Sequence, residues 1–272
     1  MIFNLSATLE SNIRAHNRIA KKYENIHGEI YNSNEQNRLH DDLLKAISLI
    51  TTTSNTKKAI DFGCGAGNLT KHLSSLGVEV TACDISQGFL DLITSRTYEA
   101  KVETLKLNGK DISNIPDESI DMVATYSVLH HVPDYLSILK EFHRVLKKGG
   151  IIYIDHESSE EYWRQENDYN IFKLEMKKKS RIEISKYFML NNYFDWVIRR
   201  FFNKRYRREG DIHVFKDDHI EWRKVIKTLV SEGGEIVFEK DYLLFKRNYN
   251  VSVYNKYQNK ISDTHLLVIR KC

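Results

Sequence analysis

The chain has 272 residues and a mass of 32.0 kDa; 41% of it is hydrophobic, 29% is charged, and the formal charge is +4. That size suits one large domain or a domain carrying an insertion. The absence of any run of about 18 apolar residues excludes a membrane-spanning helix, and the composition excludes collagen-like, disordered and disulfide-scaffold classes.

The N-terminus lacks a basic start followed by an apolar run. Cys64, Cys83 and Cys272 have no paired spacing. The expectation is a cytoplasmic globular protein with no disulfide framework and no metal site.

In chain order, Leu39, Leu43, Leu44, Ile47 and Ile50 recur at three- and four-residue steps and predict a helix over 36–50. A loop over 51–55 precedes a strand at 59–62, which stops at Gly63. A helix over 70–76 and a strand over 78–83 follow. Ser86 is the expected N-cap of a helix through Phe89, Leu90 and Ile93. Strands are expected at 102–107 and 120–126. Tyr135, Ile138, Leu139, Phe142 and Leu146 mark one side of a helix over 134–146. Its end, Lys147-Lys148-Gly149-Gly150, reads as positive charge against the helix dipole and then a glycine stop. A fifth strand spans 151–155. After an interruption the pattern resumes with a helix at 219–231, a strand region at 235–245 and a last strand at 265–270.

This alternation predicts an α/β fold, a doubly wound, mostly parallel seven-stranded sheet with ligands at the strand carboxyl ends. The organisation expected is an N-terminal helical segment 1–56, a core 57–157 and 218–272, and a helical insertion 158–217 after strand five.

The sharpest motif is Asp61-Phe62-Gly63-Cys64-Gly65-Ala66-Gly67, a strand running into a glycine turn that opens a helix. Such a turn lets a ligand approach the backbone. It is one residue short of the dinucleotide pattern G-x-G-x-x-G, which argues against a nicotinamide enzyme, and no phosphate-cradling Gly-Lys-Ser/Thr follows. Asp84 ends the second strand, where an acid can chelate two ribose hydroxyls. Asp111-Ile112 follows the third strand. The fourth ends Tyr126-Ser127-Val128-Leu129-His130-His131-Val132-Pro133-Asp134.

Together these residues resemble the class I S-adenosylmethionine-dependent methyltransferases, in particular a small-molecule branch, over about residues 57–156. The resemblance implies a Rossmann-like methyltransferase fold with S-adenosyl-L-methionine as cofactor. Asp61 and the Gly63, Cys64, Gly65 and Gly67 backbone would hold its methionine part. Asp84 would take the ribose, Ile85, Asp111 and Ile112 the adenine, and Tyr126 would line the sulfonium end. A wider resemblance, to methyltransferases of bacterial surface-polysaccharide gene clusters, rests on His27-Gly28-Glu29-Ile30-Tyr31-Asn32, Glu35-Gln36, Arg38, Asp155-His156-Glu157, Gly210 to Val214 and Asp217 to Trp222. It implies an N-terminal helix closing over the cofactor, with Tyr23 and Glu35 in contact.

An oxygen acceptor must lose a proton, and histidine is the natural base near neutral pH. His156, at the end of the fifth strand between two acids, and His213 and His219, where the insertion rejoins the core, are the candidate catalytic residues; carboxylates beside them would orient the rings. Between Lys177 and Arg208 stand 11 Lys/Arg against 2 Asp/Glu, interleaved with aromatics. Guanidinium forks in that stretch match phosphate oxygens.

The stretch suits either a solvated face or a small anionic acceptor such as a sugar nucleotide or phosphorylated sugar, and the wider resemblance implies O-methylation of such a molecule or of a phosphorus-linked oxygen of a capsule precursor. No nucleic-acid partner is expected, since no RNA-binding module is legible. A binding protein on the same frame without catalysis, or methylation of another small molecule or RNA, are the other readings. Oligomeric state is not legible.

Overall fold

The computed structural model describes residues 13–14, 17, 20, 23–164, 167–180 and 220–272. Helix α1 (Ser33–Ser48) is capped by Asn32, whose side-chain oxygen accepts from the Glu35 amide at 3.0 Å. Its stripe of Leu39, Leu43 and Ala46 is buried against the sheet. There follow β1 (Lys58–Phe62), α2 (Asn68–Ser75), β2 (Glu79–Asp84), α3 (Gln87–Thr94), β3 (Val102–Lys106), β4 (Ile120–Tyr126), α4 (Tyr135–Val145) and β5 (Leu146–Ser158). Beyond β5 come α5 (Glu160–Arg164), α6 (Asn167–Ser180), α7 (Trp222–Ser231), β6 (Gly234–Tyr242), α8 (Val251–Tyr257) and β7 (Thr264–Lys271).

The seven strands form one sheet in the order β3-β2-β1-β4-β5-β7-β6. β1 to β5 pair in parallel, and β7 runs antiparallel between β5 and β6. Strand order reverses between β1 and β4, which opens a crevice at their carboxyl ends.

Period-2 alternation sorts the sheet into two faces. Ile60, Val123, Ile152, Ile154, Leu267 and Ile269 pack against α4 and α7 through Ile138, Leu139, Phe142, Val225 and Leu229. Ala59, Val80, Met122, Ala124, Ile151, Tyr153 and Val268 pack against α1 and α2 through Leu39, Leu43, Leu69 and Leu73. Both faces are covered, which is why the central strands read as continuous apolar runs. Among the described residues no helix is long and apolar enough to cross a membrane.

Two sequence expectations are corrected here. Lys147-Lys148-Gly149-Gly150 do not stop a helix; β5 begins at Leu146, directly after α4. The register shifts between Ile120/Leu146 and Met122/Ile151, so the extra residues sit in a bulge. Lys147 Nζ accordingly binds Asp121 at 3.1 Å and Ser54 Oγ at 2.8 Å rather than facing the dipole of α4. The strand region expected to 245 stops at Tyr242, its last pairing being with Thr264, and the chain then forms α8, capped by Asn250. His213, His219 and the 177–208 charge cluster from Arg181 onward lie outside the described residues.

Candidate active site

The glycine turn is built against β2. The amides of Gly63 and Cys64 both donate to the Cys83 carbonyl, at 2.8 and 2.9 Å. Gly63 has φ +72°, and a Cβ there would lie 2.6 Å from both methyls of Val128, so the turn and the loop after β4 touch where only glycine fits. Gly65 has φ +48° and a Cβ there would meet nothing within 4 Å: its Cβ side is open. At the end of β2, Asp84 accepts from the Gly65 amide at 3.0 Å and from the Ser86 amide at 2.7 Å. The carboxylate is thus anchored to the rim of the turn, at the mouth of the crevice.

Several of the other expected cofactor residues bond within the fold itself. Asp61 points into the fold, its Oδ2 accepting from the amide and hydroxyl of Thr70 at 2.9 and 2.6 Å. Burial pushes its carboxyl up to about 7, with the Thr70 bonds opposing and the Asp84 charge adding. It locks the start of α2 and so holds the turn. Cys64 is buried, and burial raises its thiol well above its ordinary range. Asp111 accepts from Asn108 Nδ2, Ser113 Oγ and the Ser113 amide through Oδ1, which folds its own loop. Ile112 is fully buried in the core beside Ile115, while Ile85 stays half-buried after β2.

At the ends of β4 and β5 the structure collects Tyr126 and His156. Alternation would send His156 to the α4 face with Ile152 and Ile154. A bulge between Ile154 and Glu157, with His156 at φ +61°, turns its ring instead onto Tyr126, stacked at 4.5 Å and 19°. Both its ring nitrogens are buried without a hydrogen-bond partner among the described residues. Burial drives its imidazole down to about 4, with Asp155 opposing, so the ring is neutral at pH 7.

Beneath this pair lies a charged network that the sequence did not reveal. Arg38 of α1 donates to Glu35, to Asp42 at 2.9 Å and to Asp155 at 2.9 Å. Asp155 also accepts from Tyr153 OH at 2.7 Å, Tyr242 OH at 2.8 Å and the His156 amide at 2.7 Å. Burial works against its charge, but Arg38 and these hydroxyls hold the carboxyl below its ordinary range. Glu35 accepts from Tyr126 OH at 2.9 Å; burial raises its carboxyl despite Arg38. Glu35, expected at the cofactor, is thereby the strut joining α1 to Tyr126.

Glu157 performs a comparable task for the next loop. It accepts from the amides of Val128 and Leu129 at 2.9 and 2.8 Å, and bonds His130 Nδ1 at 2.8 Å. One carboxylate satisfies the first donors of the Leu129–His131 turn.

The N-terminal segment lies across the other side. Tyr23 meets Phe89 edge-on at 5.2 Å and packs with Ala66 of the glycine turn. Arg96 ties the two, donating to the Ala66 carbonyl at 2.6 Å and to Glu24 at 2.8 Å. Asn17 Oδ1 accepts from Ser86 Oγ and the Gly88 amide, supporting the N-terminus of α3. A nucleoside carrying a diol fits these donors and acceptors: an acid at the end of β2, a turn open at Gly65, and an imidazole stacked on Tyr126 without a hydrogen-bond partner among the described residues. Among the described residues no group of three or more His, Cys, Asp or Glu side chains is placed to hold a metal ion.

Known proteins are consistent with this geometry. Residues 60–154 match the family described as Methyltransferase domain. The chain is 37% identical over 140 residues to a demethylmenaquinone methyltransferase of Staphylococcus epidermidis, covering 49% of this chain and 55% of that protein. It is 37% identical over 145 residues to one from Staphylococcus aureus, with 51% and 57% covered. The chain spans about half the length of these curated relatives. Its fold is similar to an S-adenosylmethionine-dependent methyltransferase from Mesorhizobium loti (TM-score 0.53, 14% identity, 84% of this chain and 96% of that one). It is also similar to one from Methanosarcina mazei (TM-score 0.51, 21% identity, 80% and 93%). The chain therefore has the Rossmann-like fold seen in S-adenosylmethionine-dependent methyltransferases, and its residues 60–154 match the family described as Methyltransferase domain.

Proposed function

We propose that this protein is an S-adenosyl-L-methionine-dependent methyltransferase acting on an oxygen of a small molecule. The observation that carries this reading is the Asp84 carboxylate, held by the Gly65 and Ser86 amides at the mouth of the switch-point crevice, with Tyr126 and the neutral His156 on its far side. The cofactor supplies an electrophilic methyl group on a sulfonium when bound. Asp84 holds the ribose diol, the Gly63 to Gly67 backbone borders the amino-acid part, and Ile85 with the Asp111 loop flanks the base. Tyr126, tied to Glu35, lines the transfer end. His156, neutral and unpartnered, hydrogen-bonds the acceptor oxygen and fixes its line of attack; alignment of this kind supplies much of the rate.

For the acceptor we favour an anionic sugar derivative such as a sugar nucleotide or phosphorylated sugar. The basic, aromatic stretch between Lys177 and Arg208 supports it. A quinone-like ring is the second reading, favoured by the printed name of the 37%-identical relatives.

Calorimetry with S-adenosylhomocysteine is expected to show binding, and Asp84→Asn to weaken it about 10- to 100-fold, the worth of a charge-assisted hydrogen-bond pair. Unchanged affinity in Asp84→Asn, with the far-ultraviolet dichroism intact, removes Asp84 from the site. Methyl transfer screened across sugar nucleotides, phosphorylated sugars and a demethylated naphthoquinone separates the two acceptor readings.

A further inference from the structure

His156 can orient an acceptor, but burial leaves it a poor proton acceptor near pH 7. A second imidazole has a carboxylate to orient it. His27 Nδ1 bonds Glu29 Oε1 at 2.8 Å, and Nε2 is buried without a hydrogen-bond partner among the described residues. The ring is clasped on its face by Tyr23 at 4.1 Å, and Tyr23 in turn rests on the glycine turn and Phe89.

The loop carrying the pair is pinned at its other end to the Tyr126 side. Asn32 Nδ2 donates to the carbonyls of Gly28, Glu29 and Phe245, while Asn32 Oδ1 caps α1. In the first turn of α1, Glu35 holds Tyr126, on which His156 stacks. The loop of His27 and Glu29 thus runs from the glycine turn, reached through Tyr23, to the Tyr126 side, reached through α1. Among the described residues, the charged or titratable groups near the pair are Tyr23, Arg247, which packs on Gly28, and His156, which interacts with the Glu29 charge. Burial opposes that charge, yet the His27 bond keeps the Glu29 carboxyl below its usual range, so it stays ionised.

We propose that His27, oriented by Glu29, is the general base that takes the proton of the acceptor hydroxyl, with His156 holding the same oxygen from the opposite wall. This rests on the methyltransferase reading and on an oxygen acceptor. With Nδ1–H bonded to the carboxylate, the lone pair lies on Nε2, the buried atom without a hydrogen-bond partner among the described residues. The hydroxyl proton passes to Nε2, and an oxygen electron pair forms the bond to the methyl carbon. The electron pair of the broken carbon–sulfur bond stays on sulfur, leaving a neutral thioether. The imidazolium is stabilised against Glu29 and returns its proton to water on product release.

Three readouts test this. Nitrogen NMR of labelled protein without cofactor is expected to place the neutral His27 proton on Nδ1; Glu29→Ala should shift it toward Nε2. With the sugar nucleotide, phosphorylated sugar or naphthoquinone that scores in the screen, His27→Gln is expected to lower kcat about 10²- to 10³-fold with KM changed less than about threefold. S-adenosylhomocysteine affinity, measured by calorimetry, should stay within about threefold of wild type in both variants. A wild-type His27 protonated on Nε2, or a His27→Gln variant keeping more than about a third of wild-type kcat, overturns the assignment. Failure of the wild type to bind S-adenosylhomocysteine instead overturns the methyltransferase reading on which it stands.

Discussion

His156 shows how one residue can join two strand ends and carry a cost together. It sits at φ +61° with an imidazole driven to about 4 by burial, so the folded state refuses a proton that the unfolded chain accepts below about 6.5. A histidine depressed in this way stabilises the fold above its unfolded value and loses that contribution as pH falls from about 6.5 to 4. Asp61 complicates the bare curve. Its carboxyl is raised to about 7, so its contribution moves the other way, declining as pH rises through the same window.

The test is therefore a difference: urea unfolding of wild type against His156→Gln, at pH 7 and pH 4.5. Relative to the variant, wild type is expected to lose on the order of 2 kcal/mol across that interval. Parallel curves would mean that the ring is open to protons. The positions of Asp84, Tyr126 and His156 at or near strand ends were legible from the apolar runs before them. The inward turn of Asp61 was not, because only the folded backbone brings Thr70 over it.

At the scale of elements, helix α1 is held to the sheet by charge as well as by Leu39 and Leu43. Arg38 sits among Glu35, Asp42 and Asp155 and over the ring of Tyr242 at 4.2 Å, and Lys240 reaches Asp42 at 3.0 Å. Removing one partner from such a network strands buried carboxylates, which costs about 3–5 kcal/mol. Arg38→Met is expected to lower the urea midpoint by that equivalent. It should also weaken turnover, because Asp155 bonds the His156 amide and Glu35 bonds Tyr126. Arg38→Met together with Asp155→Asn should recover part of the stability; a loss equal to the sum of the single variants would show the pair to be independent.

The periodicity of α1, α4 and α7 was readable because each buries a single stripe. The start of β5 was misread because Lys147 and Gly149 look like a helix end, and only the pairing of Ile120 with Leu146 makes that stretch a strand.

Across the whole molecule, the crevice lies at the carboxyl edge of the sheet whose two faces carry the two cores, so any ligand seated there couples to both. Saturating S-adenosylhomocysteine, at about 100 times its Kd, should add about 2.7 kcal/mol and raise the melting temperature by roughly 5–10 °C. Differential scanning calorimetry of wild type against Asp84→Asn reads this directly. An equal rise in both would place the ligand elsewhere.

The sequence by itself determined the strand–helix alternation, the glycine turn and the acids that follow the strands, since these depend on local periodicity and on backbone conformations open only to a few residue types. Tertiary structure alone decided which polar groups share a wall of the crevice. A bulge in β5 re-aims His156, Arg38 finds Asp155 across 117 positions, and the loop of His27 and Glu29 is carried between the glycine turn and Tyr126. Contacts between groups far apart in the chain leave no periodic trace, and their energies exist only once water has been removed from both partners.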